Sequence, residues 1–128
     1  MLTADDVLQR YRDEELPEFA DLPLVDVNEV GQFGNQPIHV AATRNAIDEV
    51  RALLQGGADV NAVGELGHQA IHEAIRHQNL DMVKLLLEAG AKLDHLNDFG
   101  VTPYDLALEA DDQPIIDLLE KHIQAPQN

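Results

Sequence analysis

"DVNEVGQFGNQPIHVAATRNAIDEVRALLQGGA", residues 26 to 58, lies without a gap over "DVNAVGELGHQAIHEAIRHQNLDMVKLLLEAGA", residues 59 to 91. Each stretch has 33 residues and the two agree at 16 positions, too many for chance. A third, drifting copy starts at Lys92, where Gly100 takes the place of Gly34 and Gly67, Ala107 that of Ala41 and Ala74, and Leu119 that of Leu53 and Leu86. The period predicts a row of like units.

Each copy reads as a loop and two helices. Turn residues crowd at Gly31 to Gly34 and at Gly64 to Gly67, which predicts a hairpin or tight loop. A short helix follows from about Pro37, and in the third copy from Pro103, because proline's missing N–H costs nothing at a first helical position. Its small residues, Ala41, Ala42, Ala74 and Ala107, admit a close neighbour. The second helix carries the wider apolar stripe, Ile47, Val50, Leu53 and Leu54 in one copy and Leu80, Val83, Leu86 and Leu87 in the next. Gly57 and Gly90 stand where a left-handed residue ends it. One such unit cannot bury both helices, whereas stacked units bury each other's faces and need capped ends.

"GNQPIHVAA" (34 to 42), "GHQAIHEAI" (67 to 75) and "GVTPYDLAL" (100 to 108) are similar to the G-x-T-P-L-H-x-A-A stretch of the ankyrin repeat family. "GGADVN" (56 to 61) and "AGAKLD" (89 to 94) resemble that family's G-A-D-x-N link. The resemblance implies an all-α solenoid of stacked helix pairs with hairpin-like loops, or fingers. Some positions depart from the pattern. Gln36 and Gln69 replace threonine, Ala70 replaces proline, and Gly31 and Gly64 stand where the family usually has aspartate. Asn45, Gln78 and Asp111 take the place of the usual glycine after the first helix, and glutamine tolerates a left-handed backbone least well of the three.

The expected organisation is an N-terminal helical cap over 1–25, repeats over 26–58, 59–91 and 92–123, and a tail at 124–128. Thr3 can cap a first helix running to Glu15, Leu2 and Val7 have the spacing of a hydrophobic staple, and Val7, Leu8 and Tyr11 should face inward. Pro17 stops that helix, a short turn follows at 17–21, and "LPLV" (22 to 25) reads as extended. "QPIIDLLEKHI" (113 to 123) reads as a closing helix with one wet side.

Composition narrows the function. There is no cysteine, so thiolate chemistry and disulfides are excluded. The N-terminus is acidic where a signal peptide is basic, and no apolar run approaches the ~20 residues of a membrane span, so the expectation is a cytoplasmic protein that engages no membrane. With 24 acidic against 8 basic residues the net charge is -16, which repels phosphate backbones and excludes nucleic acid as a partner. That charge either steers a basic protein toward the chain or only keeps the chain soluble.

Candidate chemistry centres on "IHEAIRH" (71 to 77). A zinc-protease helix needs H-E-x-x-H, but here the spacing is H-E-x-x-x-H, which leaves His72 and His77 about 140° apart around the axis. His72 repeats His39 one copy earlier, and the family resemblance gives both a structural role at the helix start. No metal, cofactor or catalytic residue is therefore expected, and adjacent acids such as Asp111 and Asp112 read as solvated charge.

Ankyrin proteins generally bind other proteins through finger tips and first helices, and the resemblance implies the same use here. On the fingers the candidate contacts are Val30, Val63 and Leu96, then Phe33, Leu66 and Phe99, with Gln32, Asn35, Glu65, His68 and Asp98 among them. These apolar side chains either form a ridge for a partner or pack finger against finger. On the first helices the candidates are Thr43 and Arg44, then Glu73, Arg76 and His77, then Glu109. The two arginines suggest a mildly cationic centre between acidic flanks. Small size, an isolated repeat domain and acidity look like those of bacterial immunity proteins and antitoxins, so the leading expectation is a non-enzymatic, monomeric inhibitor of a basic toxin or effector. A self-associating scaffold and a metal-dependent enzyme are the rival readings.

Overall fold

The computed structural model describes residues 1–124, which hold seven α-helices and no strand. In α1 (Ala4–Asp13) the Thr3 hydroxyl accepts the Asp6 N–H and the Asp6 carboxylate accepts the Thr3 N–H, so two amides that the helix leaves over are satisfied. Both bonds hold the Asp6 carboxyl below its ordinary range. Val7, Leu8 and Tyr11 are buried, as expected. The helix stops short of Glu15: Glu14 is the cap and Glu15 turns left-handed at φ 51°. A single 3-10 turn, Pro17–Phe19, follows. Residues 22–25 are not uniformly extended, because Leu24 bends to φ 48° to bury its side chain while Arg12 donates to its carbonyl.

The repeats supply α2 (Pro37–Thr43) and α3 (Ile47–Gln55), then α4 (Ala70–Arg76) and α5 (Leu80–Glu88), then α6 (Pro103–Ala110) and α7 (Gln113–Gln124). Gln124 thus belongs to α7, and the rest of the tail expected at 124–128 lies outside the described residues. First helices pack in sequence, α2 on α4 and α4 on α6, and α1, α3, α5 and α7 form the second layer. Ala41, Ala74 and Ala107 are fully buried, which is what lets the first helices approach. Between the layers lie Ile38, Leu53, Ile71, Met82, Leu86, Ile115 and Leu119, all fully buried and each worth about 1.5–3 kcal/mol relative to exposure. No helix among the described residues is long and apolar enough to cross a membrane.

Chain reversals follow the repeat. Gly57 and Gly90 close the second helices at φ 99° and 95°. After the first helices Asn45, Gln78 and Asp111 all adopt φ between 53° and 58°. Glutamine has no short side chain to bond locally in that region, so Gln78→Gly should stabilise the chain by about 0.5–1 kcal/mol, the relief being partly offset by a freer unfolded state. Asn45→Gly should gain less, and urea unfolding of the two variants would compare them.

The three fingers close as single tight turns with no strand ladder. In each, an N–H bonds the carbonyl four residues on: Gly31 to Asn35 (2.7 Å), Gly64 to His68 (2.8 Å) and Asn97 to Val101 (3.0 Å). What completes the turn differs from copy to copy. In the third finger the Asn97 side chain accepts from the Phe99 and Val101 N–H groups at 2.9 and 3.0 Å. Glycine at 31 has no side chain to do this, and the first finger borrows one: Glu18, from the 3-10 turn, accepts from the Phe33 N–H and from the Asn35 amide, both at 2.8 Å.

Candidate functional site

The six apolar finger residues, Val30, Phe33, Val63, Leu66, Leu96 and Phe99, are all between 46% and 67% exposed. Finger-against-finger packing would bury them, so they stand as an exposed apolar row, repeated from finger to finger, rather than as an internal seam. Exposed acids, Glu65 and Asp98, stand beside them. An apolar strip with a polar margin has the composition of an interface core and rim.

Bonds between fingers hold the ridge in register. The Gln32 N–H donates to the Glu18 carbonyl (2.8 Å), the Glu65 N–H to Asn35 Oδ1 (2.9 Å) and the Asp98 N–H to the Leu66 carbonyl (3.0 Å). Two expected contact residues are consumed by this framework. Gln32 donates its amide to the Pro17 carbonyl, and Asn35 spans Glu18 and Glu65. His68 is also removed from the surface, since it is only 5% exposed.

On the first helices the cationic centre expected from Arg44 and Arg76 is neutralised from within. Arg44 makes a bidentate bond to Glu14 (2.9 and 3.1 Å), stacks over the Tyr11 ring and approaches Glu49 at 3.7 Å. Arg76 is paired with Glu73 at 3.0 Å, and the Thr43 hydroxyl donates to the same carboxylate across the repeats. His77 lies exposed at the end of α4, 3.8 Å from Glu73, and Glu109 is exposed on α6. Among the remaining cations, Arg51 and Lys84 sit on the other layer, lining a groove between α3 and α5. On the first helices both arginines are therefore already paired with carboxylates of the chain itself.

Sequence reasoning missed Glu14, Glu18 and Glu49. Glu49 is 2% exposed in α3 and accepts from the Tyr11 hydroxyl (2.6 Å) and from Arg10 (2.7 Å), which fastens α1 to the first repeat. Burial and the bond to Glu49 together push the Tyr11 phenol up. A signal was present in the repeat: position 49 aligns with Met82 and Ile115, and an acid inside an apolar stripe implies a partner.

His39 and His72 occupy equivalent places. Each Nδ1 accepts the N–H of the residue before its helix, Gln36 or Gln69, at 2.9 Å. The proton must then sit on Nε2, which leaves no lone pair there for a metal. In the first copy Nε2 donates to the Ala62 carbonyl at 2.8 Å, tying one repeat to the next. The second copy has no equally close bond: His72 Nε2 is buried with no hydrogen-bond partner among the described residues, although the backbone of His95, the counterpart of Ala62, approaches the ring. Burial lowers the pKa of both rings, that of His72 to about 4.

A family model of ankyrin repeats, in three copies, matches residues 12–97. No curated protein matches the chain.

Proposed function

The chain belongs to the ankyrin repeat family, whose members are generally non-enzymatic protein–protein interaction modules, and from that premise we propose that it is a small inhibitor or immunity protein that occludes a basic partner such as a toxin. One observation carries this reading. The apolar ridge lies on a side whose arginines are already matched by internal carboxylates, so the charge left for a partner to meet is negative. A net charge of -16 would draw a basic protein to that side and speed its docking. On this reading the contacts are Val30, Val63 and Leu96, Phe33, Leu66 and Phe99, with Glu65, Asp98, His77 and Glu109 at their edge.

Capture from the native host, repeated with Phe33, Leu66 and Phe99 each replaced by serine, tests it. The expected result is a basic protein whose activity falls on binding and whose capture is lost in the variant at unchanged thermal stability. Capture that survives the three replacements, or a partner that is acidic, overturns the reading. Sedimentation that showed concentration-dependent self-association through the same three residues would favour a scaffold instead, although the shared net charge opposes pairing of two copies.

A further inference from the structure

Positions 35, 68 and 101 are equivalent in the three copies, and the middle one differs in kind. Asn35 bonds the Glu65 backbone and side chain and so seats the second finger on the first. His68 takes that place under the third finger, but its Nδ1 is buried with no hydrogen-bond partner among the described residues. The His68 ring meets the His72 ring edge-on, with centroids 5.4 Å apart, and His72 meets His95 of the third finger in the same way at 6.1 Å. Two buried and unbonded imidazole nitrogens thus lie at one joint. The matching nitrogens of the first joint, on Asn35 and His39, are all bonded.

We propose that the third finger is seated by an acid-sensitive latch, in which neutral His68 and His72 keep residues 95–101 against the second repeat and release them when either ring takes up a proton. A proton on His72 has to go to Nδ1, where it displaces the Gln69 N–H bond that starts α4. A charge on His68 would then be buried beside the His72 ring, and one on His72 beside both His68 and His95. The titratable and charged groups around the pair are His95 and Asp98 on the third finger, Glu65 on the second, and Glu73 and Arg76 on α4; at the start of α6 the Asp105 carboxylate is occupied by the Thr102 N–H. None of their side chains makes a hydrogen bond or ion pair with His68 or His72, although the His95 and Val101 backbones approach the His72 ring. Burial holds both rings below the ordinary imidazole range.

The sign follows from linkage. Once the finger lifts, the rings regain an ordinary affinity, so the open form binds more protons and is favoured as pH falls below about 6.5. One ring that recovers its normal pKa raises the opening constant about tenfold between pH 7.5 and 5.5. His39 is buried too and would also lose its Gln36 bond on protonation, but it still donates from Nε2 to Ala62, and the Asn35 and Glu18 bonds keep the first joint closed.

Amide hydrogen exchange of the full chain at the two pH values, corrected for intrinsic rates, reads this directly. The Asp98 amide, bonded to Leu66, should exchange at least about ten times faster at pH 5.5, while those of Gln32 and Glu65 change little. His68→Asn, which restores the residue of the first finger, leaves His72 as the one titrating ring of the pair and should lower, without abolishing, the acceleration at Asp98. Equal losses at Asp98 and Gln32, no loss at Asp98, or an unchanged profile in His68→Asn would each overturn the latch. If His68→Asn does not fold, the comparison of amides in the native chain decides alone. Any effect on partner binding rests on the interaction reading above. The latch itself is measured with no partner present, so the two ideas fail separately.

Discussion

Glu49→Gln is expected to lower stability by about 2–3 kcal/mol, seen as a lower urea midpoint with little change in slope. The carboxylate is buried and accepts from Tyr11 and Arg10 at once. Glutamine fits the space but presents an amine to one of two donors, so either the phenol or the guanidinium loses its acceptor. The phenol matters more, because a buried hydroxyl with no partner bears its full desolvation penalty. Arg10 is 43% exposed and can turn to water, so Arg10→Ala should cost far less than Glu49→Gln. The decisive comparison is a cycle with Tyr11→Phe. Glu49→Met paired with Tyr11→Phe puts at 49 the residue found at Met82, and an all-apolar contact of similar volume should recover most of the loss. Additive losses in the cycle would show that Glu49 and Tyr11 do not act on each other.

The second large effect runs against the usual logic of repeat consensus. Gly31→Asp restores the residue that the family usually carries and would ordinarily be chosen to stabilise. Here it should destabilise by about 1–3 kcal/mol. A Cβ at Gly31 would overlap both the backbone oxygen and the side chain of Glu18, and the new carboxylate would compete with Glu18 for the Phe33 N–H. Gly64→Asp should be milder, because the nearest atom there is the movable Asn35 side chain rather than backbone. Thermal melts of the two variants and of Glu18→Ala separate the causes. If Gly31→Asp gains stability, or if Glu18→Ala makes no difference to its cost, the borrowed carboxylate is not what fills that turn.

Most of the fold was legible because it is written three times. The 33-residue period, the prolines at 37 and 103 and the glycines at 57 and 90 each mark a boundary that the backbone obeys. The exposed ridge was legible for the same reason, since residues spaced by one period occupy one place on every finger. What repetition could not reveal is what happens once. Glu18 and the Tyr11 and Arg10 partners of Glu49 belong to the N-terminal segment, which has no second copy to compare. The internal bonds of Arg44, Arg76, Gln32 and Asn35 were hidden for a related reason. A charge or amide on an outward position looks available in sequence, and only the neighbouring element shows it to be already engaged. His68 was placed outside because its residue type is polar, whereas the finger folds over it.

The loan of Glu18 to the first loop makes the three copies unequal as building parts. Residues 26–58 moved to an interior slot would leave the Phe33 N–H without its acceptor, and a duplicate of that stretch would inherit the same gap. A unit like 92–123, which brings its own asparagine at position 97 to the bend, needs no such loan.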